Sequence, residues 1–141
     1  MEPKWVQQRV VIAAHEESLA EHGGPPGIRD LGLLESALAR PKNLYAYSER
    51  EPSLCRMAAA YAFGITANHP FVDGNKRTAL IASMAFLKLN GLQVTAEKAD
   101  RYLTFYSLAA GTLTEDELAE WFERNTGRFP VETKSVHFQK Y

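Results

Sequence analysis

Hydrophobic and polar positions along the chain alternate mostly at helical spacing, broken by short turn-rich segments. Residues 4–21 place Val6, Val10 and Ala13 on one face and close at Gly23-Gly24, which predicts a first helix. Gly23-Gly24-Pro25-Pro26-Gly27 cannot continue it and predicts a loop. Asp30 stands where an N-cap belongs for a short second helix, with Leu34, Ala37 and Leu38 inward and a stop at Arg40-Pro41. Residues 43–52 are polar, aromatic and turn-rich. Ser53 opens a third helix, whose Leu54, Ala58, Tyr61 and Ile65 recur at one face.

The segment from about Asn75 to Leu89 is apolar nearly all round, the pattern of a helix buried at the centre of a bundle. Asn90-Gly91 ends it, and Leu92 to Thr95 reads as short and extended. A fifth helix is expected over residues 96–110, capped by Thr95, with Ala99, Tyr102, Leu103 and Tyr106 along its inward stripe. Thr114-Glu115-Asp116-Glu117 has the form of a capping box, and Leu113 with Leu118 that of the matching hydrophobic staple. This last helix ends near Asn125-Thr126-Gly127, and periodicity is lost from Arg128 on. The expectation is therefore an all-α bundle of about six helices over residues 1–127, packed around the helix that starts at Asn75, with 128–141 as a loose tail.

Composition narrows the function classes. A chain of 141 residues makes one domain, long enough to bury about two-thirds of its unfolded surface. The formal net charge of −1 supplies no overall field for a direct nucleic-acid binder. No apolar run approaches the length of a membrane span, and residues 5–20 are too polar for a signal peptide. Cys55 is the single cysteine, so no intramolecular disulfide can form; a small core residue in a reducing, cytoplasmic setting is expected. Glu115, Asp116, Glu117, Glu120 and Glu123 make the last helix acidic, which reads as a solvated face.

The chemistry is concentrated in His69-Pro70-Phe71-Val72-Asp73-Gly74-Asn75-Lys76-Arg77, immediately before the buried helix. Gly74 lets the backbone turn sharply and come close to a ligand. Asn75, Lys76 and Arg77 then form a first helical turn whose free N–H groups make an anion site, aided by the positive end of the helix dipole. Lys76 and Arg77 oppose that dipole and need a reason to be there. Arg77 can grip two phosphate oxygens in a fork, and Lys76 acts as a point charge. Asp73 offers a hard oxygen ligand beside such phosphates, which is how Mg²⁺ is held. An imidazole accepts protons near neutral pH, so His69 is the candidate base for an incoming hydroxyl. Phe71, between the two reactive residues, is expected to plug the loop into the core. Taken singly, a histidine before proline, an Asp-Gly turn and a Lys-Arg pair are ordinary loop and surface features. Together at one helix start they are the parts of a phosphoryl or nucleotidyl transferase.

The order of residues resembles the signature of the Fic superfamily, His-x-Phe-x-(Asp/Glu)-Gly-Asn-x-Arg, and Lys76, where most Fic enzymes carry a second Gly, points to its Doc (death-on-curing) branch. Gly24-Pro25-Pro26-Gly27-Ile28-Arg29-Asp30, the run from Leu33 to Pro41, Asn90-Gly91 and Ala109-Ala110-Gly111 look similar too, so the resemblance covers roughly residues 4–125. It implies a toxin of a bacterial toxin–antitoxin pair, with ATP as donor, Mg²⁺ as cofactor and a protein hydroxyl as acceptor. It implies His69 as base, Asp73 as metal holder and Gly74, Asn75, Lys76 and Arg77 as phosphate binders. The implied target is a Thr of translation elongation factor Tu, and the implied partner is a cognate antitoxin.

Relative to the adenylylating pattern Gly-Asn-Gly-Arg-x-x-Arg, Lys76 replaces the second Gly and Leu80 the second Arg, while Gly74 keeps the first Gly. These exchanges favour phosphoryl over AMP transfer, with AMP transfer as the alternative. A second alternative is a non-catalytic, antitoxin-binding co-regulator; the presence of both His69 and Asp73 argues against it. His15, His22, His69 and His137 lack the spacing of a metal-hydrolase motif. No Ser or Thr is followed four residues later by Glu, so the self-inhibitory Ser/Thr-x-x-x-Glu helix of many Fic proteins is missing from the chain, and control in trans is expected.

Overall fold

Two helices, each apolar over most of its circumference, have to be covered on all sides, and the rest of the fold does that. The computed structural model describes residues 1–129. Its elements are α1 (Gln8–His22), α2 (Leu31–Tyr47), α3 (Leu54–Asn68), α4 (Asn75–Leu89), β1 (Leu92–Val94), α5 (Lys98–Ala110), α6 (Glu115–Arg124) and β2 (Thr126–Arg128). The protein is thus all-α, with six helices and one two-stranded antiparallel ribbon among the described residues. α3 packs against α2, α4, α5 and α6, and α4 against α1, α3, α5 and β1. The centre of the bundle is therefore shared by α3 and α4.

The α4 bounds, the Ser53 cap and the Thr114 capping box lie where the sequence places them. The Ser53 and Thr114 side chains accept from the N–H groups of Arg56 and Glu117, and Glu117 returns a bond to Thr114. Leu118 is fully buried and Leu113 packs against the core, which completes the staple. Cys55 is a buried core residue, and burial, with Glu123 nearby, pushes its thiol up to about 12.

Several expectations are corrected. α1 starts at Gln8, and its buried face is Val11, His15 and Ser18; Val10 and Ala13 face outward. Val6 is buried ahead of the helix, its N–H donating to the Tyr61 hydroxyl at 3.1 Å. α2 does not stop at Pro41 but runs through it to Tyr47. Proline at position 41 leaves the Ala37 carbonyl without its helical donor, and Gly64 of α3 packs there so closely that a Cβ would sit 3.1 Å from that oxygen. Burial of Leu34, Ala37, Leu38 and Pro41 outweighs the local preference to end the helix.

α5 starts at Lys98 with Glu97, not Thr95, in the cap position, and Thr95 donates its N–H to the Asn125 carbonyl. Its inward face is Arg101, Thr104, Phe105 and Leu108, whereas Leu103 and Tyr106 are 67 % and 62 % exposed. The helix is rotated because Phe105 meets the rings of Trp121 and Phe122 edge-on. Glu115 is not part of a solvated face: it pairs with Arg40 of α2 and with Arg56 of α3 at 2.7 Å, tying the start of α6 to both. Strand β2 runs to Arg128, antiparallel to β1, and Phe129 donates its N–H to the Gly91 carbonyl. Residues 128 and 129, expected to open a loose tail, are therefore tied to β1 and Gly91; the rest of that expected tail, residues 130–141, lies outside the described residues.

Candidate active site

The loop joining α3 to α4 carries the candidate reactive residues, and its backbone is tied at every position from 68 to 73. His69 ends α3 in the left-handed region, at φ 50° and ψ 54°, the single non-glycine residue with positive φ among those described. For a residue with a Cβ that conformation costs about 1–2 kcal/mol, so something must hold it. The His69 N–H donates to the Ile65 carbonyl, while the Arg29 guanidinium donates from Nε to the His69 carbonyl at 2.7 Å and from Nη2 to the Asn68 carbonyl at 2.8 Å. The Pro70 carbonyl accepts from the N–H groups of both Arg29 and Asp30. Val72 donates its N–H to Gly27, next to an antiparallel bridge between Ile28 and Phe71. The loop between α1 and α2 thus backs the reactive loop along its length.

From beneath, the loop is anchored by Phe71, which is fully buried and stacks on the His15 ring with centroids 3.8 Å apart. His15 Nε2 lies 2.7 Å from the Asp73 carbonyl; a carbonyl oxygen only accepts, so the proton sits on Nε2. Asn75 closes the arrangement. Its side-chain amide accepts from the Phe71 N–H and donates to the Phe71 carbonyl, both at 2.9 Å, and it is buried.

Helix α4 begins differently from an ordinary helix. Gly74 occupies the cap position at φ 79°, which favours glycine, and no side chain caps the helix or brings acid to its first turn. Residues 75–77, whose N–H groups have no acceptor within the helix, line a cavity of about 460 Å³. His69, Asp73, Gly74, Asn75, Lys76 and Arg77 all line that cavity, and Leu19, Leu80, Tyr102 and Phe105 contribute to its wall. Asp73 Oδ1 accepts from the Gly74 N–H at 2.8 Å. Its Oδ2 lies so close to Gly24 that a Cβ there would come within 2.6 Å, so Gly24 is the residue that leaves the carboxylate room. Arg77 Nη1 donates to His22 Nε2 at 2.9 Å and to the Tyr102 hydroxyl at 2.8 Å, which sets the guanidinium against the wall. Lys76 sits at the lip, its Nζ 4.9 Å from the centre of the Tyr106 ring. Thr66 also lines the cavity, with its hydroxyl buried and unbonded among the described residues.

The structure therefore brings His69, Asp73 and the α4 start into one cavity and puts Phe71 under it as an anchor. The Asn75 side chain is committed to Phe71, so what it leaves available at the helix start is its backbone N–H. His15, His22, Gly24, Arg29 and Tyr102 were not singled out by sequence reasoning as site residues. Asp73 is a lone carboxylate: among the described residues no three His, Cys, Asp or Glu side chains converge on a metal position. That donor set fits Mg²⁺ held by one carboxylate and completed by substrate oxygens and water.

An all-α bundle thus carries an uncapped helix start, a histidine and a carboxylate on one cavity. The Fic/DOC family model matches residues 5–87, and the chain belongs to that family. It is 35 % identical over 119 residues to the "Protein kinase doc" of Escherichia phage P1, covering 83 % of this chain and 91 % of the phage protein. It is 44 % identical over 75 residues to the "Toxin Doc" of Mycolicibacterium smegmatis, covering 53 % of this chain and 58 % of that protein.

Proposed function

We propose that the chain is the toxin of a bacterial toxin–antitoxin pair and transfers the γ-phosphoryl group of ATP to a Ser/Thr hydroxyl of a translation factor, with elongation factor Tu as the first candidate. The observation that carries the reading is the uncapped start of α4, opening into the same cavity as His69 and Asp73. The names of the two relatives support it, one as a toxin and one as a protein kinase.

In this reading the N–H groups of residues 75–77 and the Arg77 fork hold the phosphates, and Lys76 adds positive charge at the lip. Asp73 would hold Mg²⁺, which when bound neutralises charge on the phosphate oxygens. The His69 imidazole takes the proton of the acceptor hydroxyl as its oxygen bonds to the γ-phosphorus. The bond from that phosphorus to the bridging oxygen breaks, and ADP leaves. Most of the rate comes from positioning, which suits a loop tied at each residue from 68 to 73.

AMP transfer uses the same base and helix start and differs in which phosphate meets the acceptor. Leu80 favours the kinase reading: it is buried and lines the cavity where the adenylylating pattern has a second Arg, so that wall offers no cation for a distal phosphate. Lys76 adds bulk where that pattern has Gly. Incubating the protein with ATP, Mg²⁺ and purified elongation factor Tu, then measuring the intact mass of the factor, tests this. An added phosphate is expected; an added AMP overturns the kinase reading. Because no Ser/Thr-x-x-x-Glu segment is available as an internal lock, control falls to a separate antitoxin docking as a helix that folds on binding.

A further inference from the structure

We infer that Arg29 is a positioning residue for His69, and the inference rests on the reading of His69 as the base. Arg29 is exposed, lies outside the residues that line the cavity and is no part of the hydrophobic core, so it neither touches substrate nor holds the bundle together. Its guanidinium forks across two successive carbonyls, those of Asn68 and His69, at the C-terminal end of α3. There the helix dipole is negative and a cation is favoured. Its own N–H and that of Asp30 hold the next carbonyl, Pro70, at 2.7 Å and 3.0 Å. Three consecutive peptide groups around His69 are thereby fixed from one short segment.

The consequence concerns direction. Where a Cβ points is set by φ and ψ, and His69 is held in a left-handed conformation that a residue with a Cβ does not favour by itself. Among the described residues nothing else holds the His69 carbonyl: its N–H is bound to Ile65, but that bond leaves ψ free. Without the fork, His69 relaxes toward ordinary backbone and its imidazole turns away from the cavity it lines with Asp73. Lysine cannot substitute fully, because a single ammonium has no planar pair of donors to span both carbonyls.

The test compares the full chain with Arg29→Ala and Arg29→Lys by histidine-ring NMR and by steady-state kinetics with ATP, Mg²⁺ and elongation factor Tu. The four histidines are assigned by single substitution to Gln. In Arg29→Ala the His69 ring signal is expected to broaden or split, while the His15 signal, stacked on buried Phe71, stays in place. The expected kinetic result is a kcat loss on the order of 10²-fold with KM for ATP moving less than about twofold. Arg29→Lys should recover part of kcat. A sharp, unshifted His69 signal in Arg29→Ala, or a rise in KM at constant kcat, overturns the inference. Full activity of His69→Gln removes the base reading and this role with it. If the unsubstituted chain transfers nothing to that acceptor, the kinase reading fails instead, and the NMR comparison alone decides for or against the positioning.

Discussion

Two helix starts in this molecule are built in opposite ways. At α6, Thr114 and Glu117 bond each other's backbone reciprocally, and Glu115, Asp116 and Glu117 complement the dipole. At α4, Gly74 offers no cap, no acid is present in the first turn, and Lys76 and Arg77 add positive charge where the dipole is already positive. The first arrangement satisfies its own donors. The second leaves them open, which is stabilising only when an anion arrives. A helix start that is left unsatisfied on a loop tied down at every residue is free to take a ligand, whereas one that is satisfied is a stop signal.

The largest expected effect breaks the chemistry at the open start while leaving the fold alone. His69 is exposed at the cavity and its side chain makes no hydrogen bond among the described residues, so His69→Ala or His69→Gln should melt within a few degrees of the parent. General-base catalysis contributes roughly 10²–10⁴-fold, and transfer to elongation factor Tu and growth arrest on induction should both be lost. A fully active, equally toxic variant would remove His69 as base. Asp73→Ala comes next. Among the described residues its carboxylate accepts only the neighbouring Gly74 N–H, so its loss should spare the fold, abolish Mg²⁺-dependent turnover and weaken ATP binding in the presence of Mg²⁺. Undiminished Mg²⁺-dependent turnover would place the metal elsewhere.

How much of this was legible in the chain depends on range. The α4 start, the Ser53 cap and the Thr114 box are local patterns, with donor and acceptor within a few residues, and sequence spacing gives them directly. Gly74 is legible for the same reason. Arg29, His22 and His15 were not, because they meet His69, Arg77 and Asp73 across separations of 40, 55 and 58 residues. A motif read along the chain supplies the reacting groups but not the side chains that aim them. Pro41 and the rotation of α5 were missed for a related reason: burial against α3 and α6 decided both, against local preference and against the stripe containing Leu103 and Tyr106.

A third prediction sharpens the contrast by supplying the missing anion. Ligand at about 100 times its Kd stabilises a folded protein by roughly 2.7 kcal/mol, so ATP with Mg²⁺ should raise the melting temperature clearly. Arg77→Ala should reduce that rise, because it removes the fork. In the free protein it should cost little, since the Arg77 bonds to His22 and Tyr102 only park the guanidinium at the wall. The shift should be unaffected by Thr114→Ala at the other helix start. Equal ATP-dependent shifts in the parent and in Arg77→Ala would mean the phosphates do not sit on this turn.

The smallest effect belongs to the satisfied start. Thr114→Ala removes one acceptor of the box and should lower stability by about 1 kcal/mol, the usual value of a cap, with no change in transfer rate. Glu117 reports the same box through pH. The N–H of Thr114, and after it the Thr114 hydroxyl, hold the Glu117 carboxyl below its ordinary value of 4.5. A carboxyl depressed in the folded state binds its proton more readily when unfolded, so its contribution is fully present above 4.5 and is lost as pH falls through the lower folded value. The group is fully exposed, and solvent screening keeps the effect small. The stability difference between the parent and Glu117→Gln should therefore be constant from neutral pH down to about 5 and shrink below it. Chemical denaturation at a series of pH values measures this. A gap that stays constant through the acid range would show that the box exerts no pull on the Glu117 proton.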